Sequence, residues 1–357
     1  MNRSHFSRRF SETDHQEVKP MASTMKDLAR ETGLGLATIS KYFNGGSVRE
    51  KNRKLIEAAA KKLNYVPNEV ARSLKTQHSR VIGVIIPELS NAFITSIISS
   101  MEDILRKKDY AVIVCDCRSD PKREKEAVEF LMHRRVDGLI NMATDPSGHH
   151  LSAALEAGIP ILLVDRLIDS LRGRVSAVII DNVYAAGQAV RKLTGLGHRK
   201  IGLVLGNPNL FTTDARLTGY LNALREAGIQ PDEQYIRYSD YTMDGGYRAV
   251  QDLLRLKEKP TALFITNFDM TLGGMLALHH NSVRIPEDLS VIGFDKLELF
   301  AGVFPDLTLI RQPQMDIGRE CANLMLELLS NPERQIPRII TLTTELSEGT
   351  SVRPLQE

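Results

Sequence analysis

Asp165-Arg166, Asp181-Asn182, Asn267 and Asp295 each follow directly on a short run rich in Val, Ile, Leu or Phe. Carboxylates and amides exchange hydrogen bonds with hydroxyl groups, and a guanidinium spans two neighbouring oxygens. Phe93, Arg216 and Tyr241, read at loop or helix-start positions, add aromatic faces and a second guanidinium. Together they suit a sugar-like polyol. Taken singly, each has a plainer reading. An aspartate at a strand end is often only a helix cap, and Phe93 alone reads as core. Their shared place just past apolar runs makes them a set.

A different chemistry gathers near the N-terminus. Residues 21–80 hold twelve Lys/Arg and five Asp/Glu, residues 1–20 four and three, and residues 81–357 thirty and 36. A basic head on an acidic body suits a head that meets a polyanion. MKDLARET (25–32) reads as a short helix that Thr24 caps, with Asp27 in its first turn and Gly33 as its stop. LATISKYF (36–43) starts a second helix, with Leu36, Ile39 and Phe43 on one face and Thr38 and Lys41 elsewhere. NGGS (44–47) breaks the chain, and a third helix over 50–63 carries Leu55, Ile56, Ala59 and Leu63 as its core stripe. This is the outline of a helix-turn-helix unit, whose second helix can enter a DNA major groove. A three-helix bundle without a ligand is the plainer alternative. Pro67 then stops the third helix, and Asn68 can cap NEVARSL (68–74), which is too short to be a stable helix alone.

The elements that must position the first set of residues lie beyond Val81. Apolar runs at 81–87, 111–116, 136–143, 160–165, 177–181, 200–206, 261–266 and 289–295 read as buried strands. Helical stretches between them include 92–108, 121–134 and 149–157. The alternation means parallel sheets covered on both faces. The 277 residues from 81 to 357 exceed one comfortable doubly wound unit, so two lobes with a cleft between them are expected. Ligands of open α/β sheets sit at the carboxyl ends of the strands.

Other chemistries are excluded or unsupported. No run approaches eighteen apolar residues, so no membrane span is expected. The first twenty residues contain no apolar stretch of the secretory kind. Three cysteines, Cys115, Cys117 and Cys321, cannot form a disulfide framework and suit a reducing cytoplasm. Cys115 and Cys117 alternate on one strand with no second pair, so zinc is not expected. The pairs His149-His150 and His279-His280 read as solvated. No nucleotide-binding glycine loop, H-E-x-x-H or G-x-S-x-G occurs, so neither a cofactor nor an enzyme is expected.

The wording itself adds more. MKDLARETGLGLATISKYFNGG, VREKNRKLIEAAAKKLNYVPNEVARSLKT resembles the DNA-binding head of the lactose-repressor (LacI/GalR) family. IGVIIPELSNAFITSII, RVDGLINM, GIPILLVDR, VIIDNVYAAGQAVRKLTGLGHRKIGLV, ARLTGYLNAL, IPEDLSVIGFD and LTLIRQP resemble its effector-binding part, which shares its fold with periplasmic sugar-binding proteins. The resemblance runs from about Thr24 to Pro354.

It implies an α/β fold: a two-lobed, doubly wound, periplasmic-binding-protein-like body behind an N-terminal all-α helix-turn-helix domain. The expected divisions are a disordered extension (1–22), the DNA-binding domain with a hinge helix at 68–74 (23–80), and the effector-binding and dimerisation domain (81–357). The implied protein is a cytoplasmic, homodimeric transcriptional regulator, with repression the expected direction, on near-palindromic operator DNA. A sugar-binding protein or a sugar-acting α/β enzyme is the alternative. Leu36 and Ala37 would read bases, and Lys41 would stand beside them. Thr24, Thr38, Ser40, Asn44, Arg53, Tyr65 and Asn68 would serve the DNA backbone and the head's placement on it. Leu74 would wedge the minor groove. Phe93 would stack on the effector, Tyr241 would close one wall, and Asp165, Arg166, Arg216, Asn267 and Asp295 would hold polar groups. The chain departs from the family at Gly35 for serine, Lys41 for arginine, Arg49 for a capping serine, Phe268 for a pocket aspartate and Glu348 for arginine.

Overall fold

The computed structural model describes residues 23–66, 78–295, 306–330 and 336–355. The chain divides at His78 into two compact units. The predicted extension over 1–22 and the hinge helix with Asn68 and Leu74 lie outside the described residues.

The head holds α1 (Met25–Thr32), α2 (Leu36–Phe43) and α3 (Glu50–Lys62). Thr24 starts α1 through a reciprocal cap. Its Oγ1 accepts the Asp27 N–H at 3.3 Å while the Asp27 carboxylate accepts the Thr24 N–H at 3.0 Å. Gly33 ends the helix at φ 68°. Gly35 and Arg49 stand at the starts of α2 and α3 with no side-chain cap. Leu28, Ile39, Ile56 and Ala59 form the core, with Phe43, Leu63 and Tyr65 packed around it.

One expected core residue is instead outside: Leu55 is 42% exposed; Leu36, on one face with Ile39 and Phe43 but expected at DNA, is 45% exposed. Leu55 and Ile56 are adjacent, about 100° apart on the helix, and so small a core takes only one of them. Leu36 opens α2, beyond the turn that Ile39 buries.

The body carries two six-stranded sheets. In chain order its elements begin with β1 (Val81–Ile86), α4 (Ala92–Arg106), β2 (Ala111–Asp116), α5 (Pro121–His133), β3 (Gly138–Asn141), α6 (Ser152–Glu156), β4 (Ile161–Val164) and β5 (Ser176–Ile180). Then come α7 (Asn182–Gly195), β6 (Ile201–Leu205), α8 (Phe211–Glu226), β7 (Ile236–Tyr238), α9 (Met243–Leu254), β8 (Ala262–Ile265) and α10 (Phe268–His280). The last are β9 (Ser290–Phe294), β10 (Thr308–Arg311), α11 (Gln314–Ser330), β11 (Ile339–Leu342) and β12 (Glu345–Ser347).

The first sheet runs β11-β5-β4-β3-β1-β2, all parallel. The second runs β12-β10-β9-β8-β6-β7, parallel except for the antiparallel β10–β12 pair. The central strands are wholly buried, which is why they read as unbroken apolar runs. The chain passes between lobes at Asp181, at Gln312-Pro313 and at Thr343-Thr344, because α7 packs on the second sheet and α11 returns to the first.

One further expectation is corrected. His149 is exposed, but His150 is buried, with Nε2 2.8 Å from Asn141 Nδ2 and 3.4 Å from Glu124 Oε1. Gly148, at φ 76°, turns the chain so that residues 149–151 fold back toward α5. The buried Glu124 carboxylate accepts the backbone N–H groups of Thr144 and Asp145 at 2.9 and 2.7 Å, which offsets its desolvation.

Candidate functional site

The head presents α2 with Leu36, Ala37 and Lys41 exposed. Asn44 Nδ2 donates to Ser40 Oγ at 3.1 Å, which joins two of the expected backbone-contacting residues. Arg53 Nε donates to Glu57 at 2.9 Å, and the Tyr42 hydroxyl donates to the same oxygen at 2.9 Å. Arg53 is therefore aimed by its own helix. Two of the residues expected at DNA also serve the fold: Thr24 in its cap, and Tyr65 with its ring centroid 5.1 Å from that of Phe43.

In the body, the carboxyl ends of both sheets open on one cleft enclosing about 630 Å³, its mouth included. Phe93, Asp165 and Arg166 line it from the first lobe, and Arg216, Tyr241, Asn267 and Asp295 from the second. Asp181 stands apart from this set. It is exposed and caps α7, accepting the Tyr184 N–H at 2.9 Å.

The polar walls are held tightly. Arg216 is 4% exposed, lies in the second turn of α8 rather than at a helix start, and stacks over Phe294 with its guanidinium carbon 4.0 Å from the ring centre. Its Nε donates to Asn182 Oδ1 at 2.8 Å and its Nη1 to the Thr266 carbonyl. Asp295 is 3% exposed and accepts from Gln312 Nε2 at 2.9 and 3.2 Å. Burial pushes its carboxyl up to about 7, against the pull of the Arg216 charge and the Gln312 bond. Arg166 Nη1 donates to the Ala143 carbonyl at 2.8 Å, its Nε lies 3.5 Å from Asp165, and its guanidinium faces the Tyr241 ring at 5.4 Å. The Tyr241 hydroxyl bonds Thr212 and Thr213 at 3.0 and 2.7 Å.

Backbone conformation aims these groups. Asp165, Tyr241 and Asp295 all lie at φ between 63° and 69°, in the left-handed region that non-glycine residues enter at a cost. Gly206, just past β6, makes room for the Tyr241 ring: a Cβ there would lie 1.9 Å from Tyr241 Cζ. Asn267 caps α10, its Oδ1 accepting the Met270 N–H at 3.0 Å, which leaves its amide NH₂ to serve the cleft.

The cleft also includes residues that the sequence reading missed, among them Glu88, Asn91, Asp240, Asp269 and Gln312. Gln312 follows β10, which was not recognised as a strand. Phe268, expected in the pocket, does not line it; Asp269 does. The helix begins at residue 268, and one step of about 100° turns the next side chain to the cleft. Asn91 Nδ2 donates to Asp269 at 2.6 Å across the two lobes, and burial together with the nearby Glu88 charge raises the Asp269 carboxyl. Among the described residues, no group of three His, Cys, Asp or Glu is arranged to hold a metal, and no helix is long and apolar enough to cross a membrane.

Comparison with known proteins agrees with this fold. Residues 24–68 match the family of bacterial regulatory proteins of the lacI type, and residues 79–350 match periplasmic binding proteins and the sugar-binding domain of the LacI family. The chain is 34% identical to the HTH-type transcriptional repressor CytR of Escherichia coli K12 over 86% of this chain and 89% of that protein. It is 32% identical to the ribose operon repressor of Haemophilus influenzae, over 89% and 95% of the two chains. The lac repressor dimer bound to operator and the anti-inducer ONPF has a similar structure (TM-score 0.80, 27% identity, 93% of this chain and 99% of that one). So does the CelR–cellobiose complex (TM-score 0.70, 27% identity, 92% and 99%). A LacI-family regulator of Enterococcus faecium with bound ribose follows at TM-score 0.69 and 28% identity, over 77% and 100%.

Proposed function

The chain belongs to the LacI family of bacterial regulatory proteins, and from that premise we propose a repressor whose grip on a near-palindromic operator is set by a sugar-like effector in the interlobe cleft. Its relatives are DNA-binding transcriptional repressors, not enzymes. The observation that carries the effector reading is the cleft wall. Two guanidinium groups, the carboxylates of Asp165 and Asp295, and the free amide of Asn267 meet aromatic rings at the ends of both sheets. A polyol donates to the carboxylates and accepts from the guanidinium and amide groups, while the rings cover its apolar face.

In this reading the protein works in the cytoplasm as a homodimer, with residues 23–80 as the DNA-binding part and 81–357 as the effector-binding and dimerisation part. Two heads meet two half-sites. Leu36 and Ala37 touch thymine methyl groups, Lys41 approaches a base edge, and Thr38, Ser40, Asn44 and Arg53 hold phosphates. Thr24, Tyr65 and Asn68 settle the head, and Leu74 enters the minor groove at the centre of the operator.

The test is selection of operator sequences from random DNA by the full chain, with and without ribose, cellobiose and a wider panel of pentoses, hexoses and disaccharides. The reading predicts a dyad-symmetric site, affinity that falls steeply with salt as counterions are released, and at least one sugar that shifts it. Selected sites without symmetry, or no response to any sugar, would overturn it.

A further inference from the structure

Each of the three passages between the lobes carries a polar side chain away from water: Asn182 is 2%, Gln312 9% and Thr344 7% exposed. Two of these side chains bond the charged groups of the cleft. Asn182 Oδ1 accepts from Arg216 Nε at 2.8 Å. Gln312 Nε2 donates to both oxygens of Asp295, at 2.9 and 3.2 Å. The same charged residues are also anchored within the second lobe. Arg216 Nη1 donates to the Thr266 carbonyl just past β8, and the Asp295 N–H donates to Ile310 of β10 at 2.7 Å. Each therefore ties a cleft wall to a segment that must bend when the lobes turn. The bonding of these segments is incomplete, since Gln312 Oε1 and Thr344 Oγ1 are buried without a partner among the described residues. A buried acceptor without a donor is unfavourable.

We propose that Asn182 and Gln312 are positioning residues that convert occupancy of the cleft into a change of angle between the lobes, and so into a change of operator affinity. The proposal rests on the cleft being the effector site. A hydroxyl that donates to one Asp295 oxygen draws the shared Gln312 amide onto the other. The amide then turns, and with it Pro313 and the start of α11. A ligand oxygen that accepts from the remaining Arg216 N–H groups pulls the guanidinium into the cleft, and Asn182 at the start of α7 follows it. Occupancy is thus transmitted at two of the three passages at once, one leading into each lobe. Differential bonding in the two lobe arrangements is what such coupling requires.

The test uses the full chain as wild type, Asn182→Ala, Asn182→Asp and Gln312→Met. The probes are ribose, cellobiose and any sugar from the panel that shifts operator binding. Two quantities are read: sugar affinity by calorimetry, and the ratio of operator affinity without and with saturating sugar. In allosteric proteins that ratio spans roughly 5–150-fold. Asn182→Ala should bind sugar within about tenfold of wild type while the ratio collapses toward one; Gln312→Met, at a residue that lines the cleft, should weaken sugar binding as well, with the ratio at saturating sugar falling further than that loss accounts for. Asn182→Asp keeps an acceptor for Arg216 and should retain the response. Gln312→Met preserves side-chain volume, so it carries the test if Asn182→Ala does not fold. A merely structural role would lower the melting temperature and leave the ratio intact, and that result overturns the proposal. A ratio that falls only in step with sugar affinity overturns it too. A wild type that no sugar affects overturns the proposed function itself, and is told apart from the first two outcomes by the wild-type ratio alone.

Discussion

The head and the body solve recognition in opposite ways. In the head a core of four buried side chains supports a helix whose candidate DNA-contacting residues stand in solvent. Leu36, Ala37 and Lys41 are exposed, so the fold does not dictate their identities. In the body the candidate ligand-holding groups are themselves part of the interior: Asp165 is 8%, Arg216 4% and Asp295 3% exposed, and each is tied to backbone or to another side chain. A surface that meets a polyanion needs charge and shape, which solvated side chains supply. A cleft that selects a small neutral molecule needs groups fixed before the ligand arrives, and fixing them makes them structural. Substitutions in the body's site should therefore change stability and function together, and those at the exposed Leu36, Ala37 and Lys41 of the head should change function alone.

The largest expected effect tests the body half of that contrast. Arg216→Ala removes the charge facing Asp295, strips the donor from Asn182 Oδ1 and opens space over Phe294. Breaking so buried a network costs about 3–5 kcal/mol. Denaturant melts of the full chain should show that loss in the body's transition, and calorimetry should show no sugar binding. Operator binding by the head should persist wherever the body is still folded. A variant that melts with the wild type would erase the distinction between the two sites.

Asp295 sharpens it through pH. Its carboxyl, up at about 7 when folded, is near 3.9 in the unfolded chain. Between those values the folded state holds a proton that the unfolded state has released. The group's contribution is therefore intact below about pH 4 and is lost as pH rises toward 7. Asp295→Asn cannot titrate, so its stability relative to wild type should climb across that window, by up to a few kcal/mol. Sugar affinity of the wild type should move the other way, rising from about pH 6 to 8 as the ionised carboxylate becomes available to accept from hydroxyls. Urea melts and calorimetry at stepped pH check both. A constant gap between the two proteins would show that Asp295 stays ionised.

A smaller effect is expected at Gly206. Its replacement by alanine places a Cβ 1.9 Å from Tyr241 Cζ, so the ring must leave its bonds to Thr212 and Thr213. Overpacking of this kind costs roughly 1–3 kcal/mol. Sugar affinity should weaken with it. Tyr241→Ala in the Gly206→Ala background should recover much of the stability, and strict additivity in that double-mutant cycle would refute the contact.

How much of each region could be read in advance follows from the same physics. The head's first two helices were bounded at 25–32 and 36–43 because a Thr24 cap, a Gly33 stop and the NGGS break are local signals. The buried strands were legible as apolar runs. β7, β11 and β12 were missed because they are only three or four residues long and half-exposed, and β10 because Thr308 and Arg311 flank just two apolar residues. The seven cleft residues share one cavity because the parallel strands of each sheet end on one side, a rule that needs no coordinates. Gln312 and the burial of His150 could not be read, nor could the bond that ties Asn182 to Arg216. Which lobe a segment enters next, and what a turn folds back upon, are properties of the tertiary structure and leave no pattern within a short window.

The smallest expected effect falls on the head and tests the other half of the contrast. Leu36 is 45% exposed at the first position of α2, outside the core of Leu28, Ile39, Ile56 and Ala59. Replacing it with alanine removes apolar area that is already largely in water, and such surface changes stay within about 0.5 kcal/mol. The capping pattern is untouched as well, because Gly35 provides no side-chain bond to lose. If Leu36 packs against a thymine methyl group, its loss is felt only on DNA. Selection from random sequences should then show one position per half-site relaxing its preference for thymine, with its neighbours unchanged. Affinity should retain its full salt dependence, since no phosphate contact is involved. A drop in melting temperature comparable to that of Gly206→Ala would mean that Leu36 belongs to the fold after all. An unaltered operator preference would mean that it does not face the bases. Either result would remove the separation of recognition from stability on which the head's side of the comparison depends.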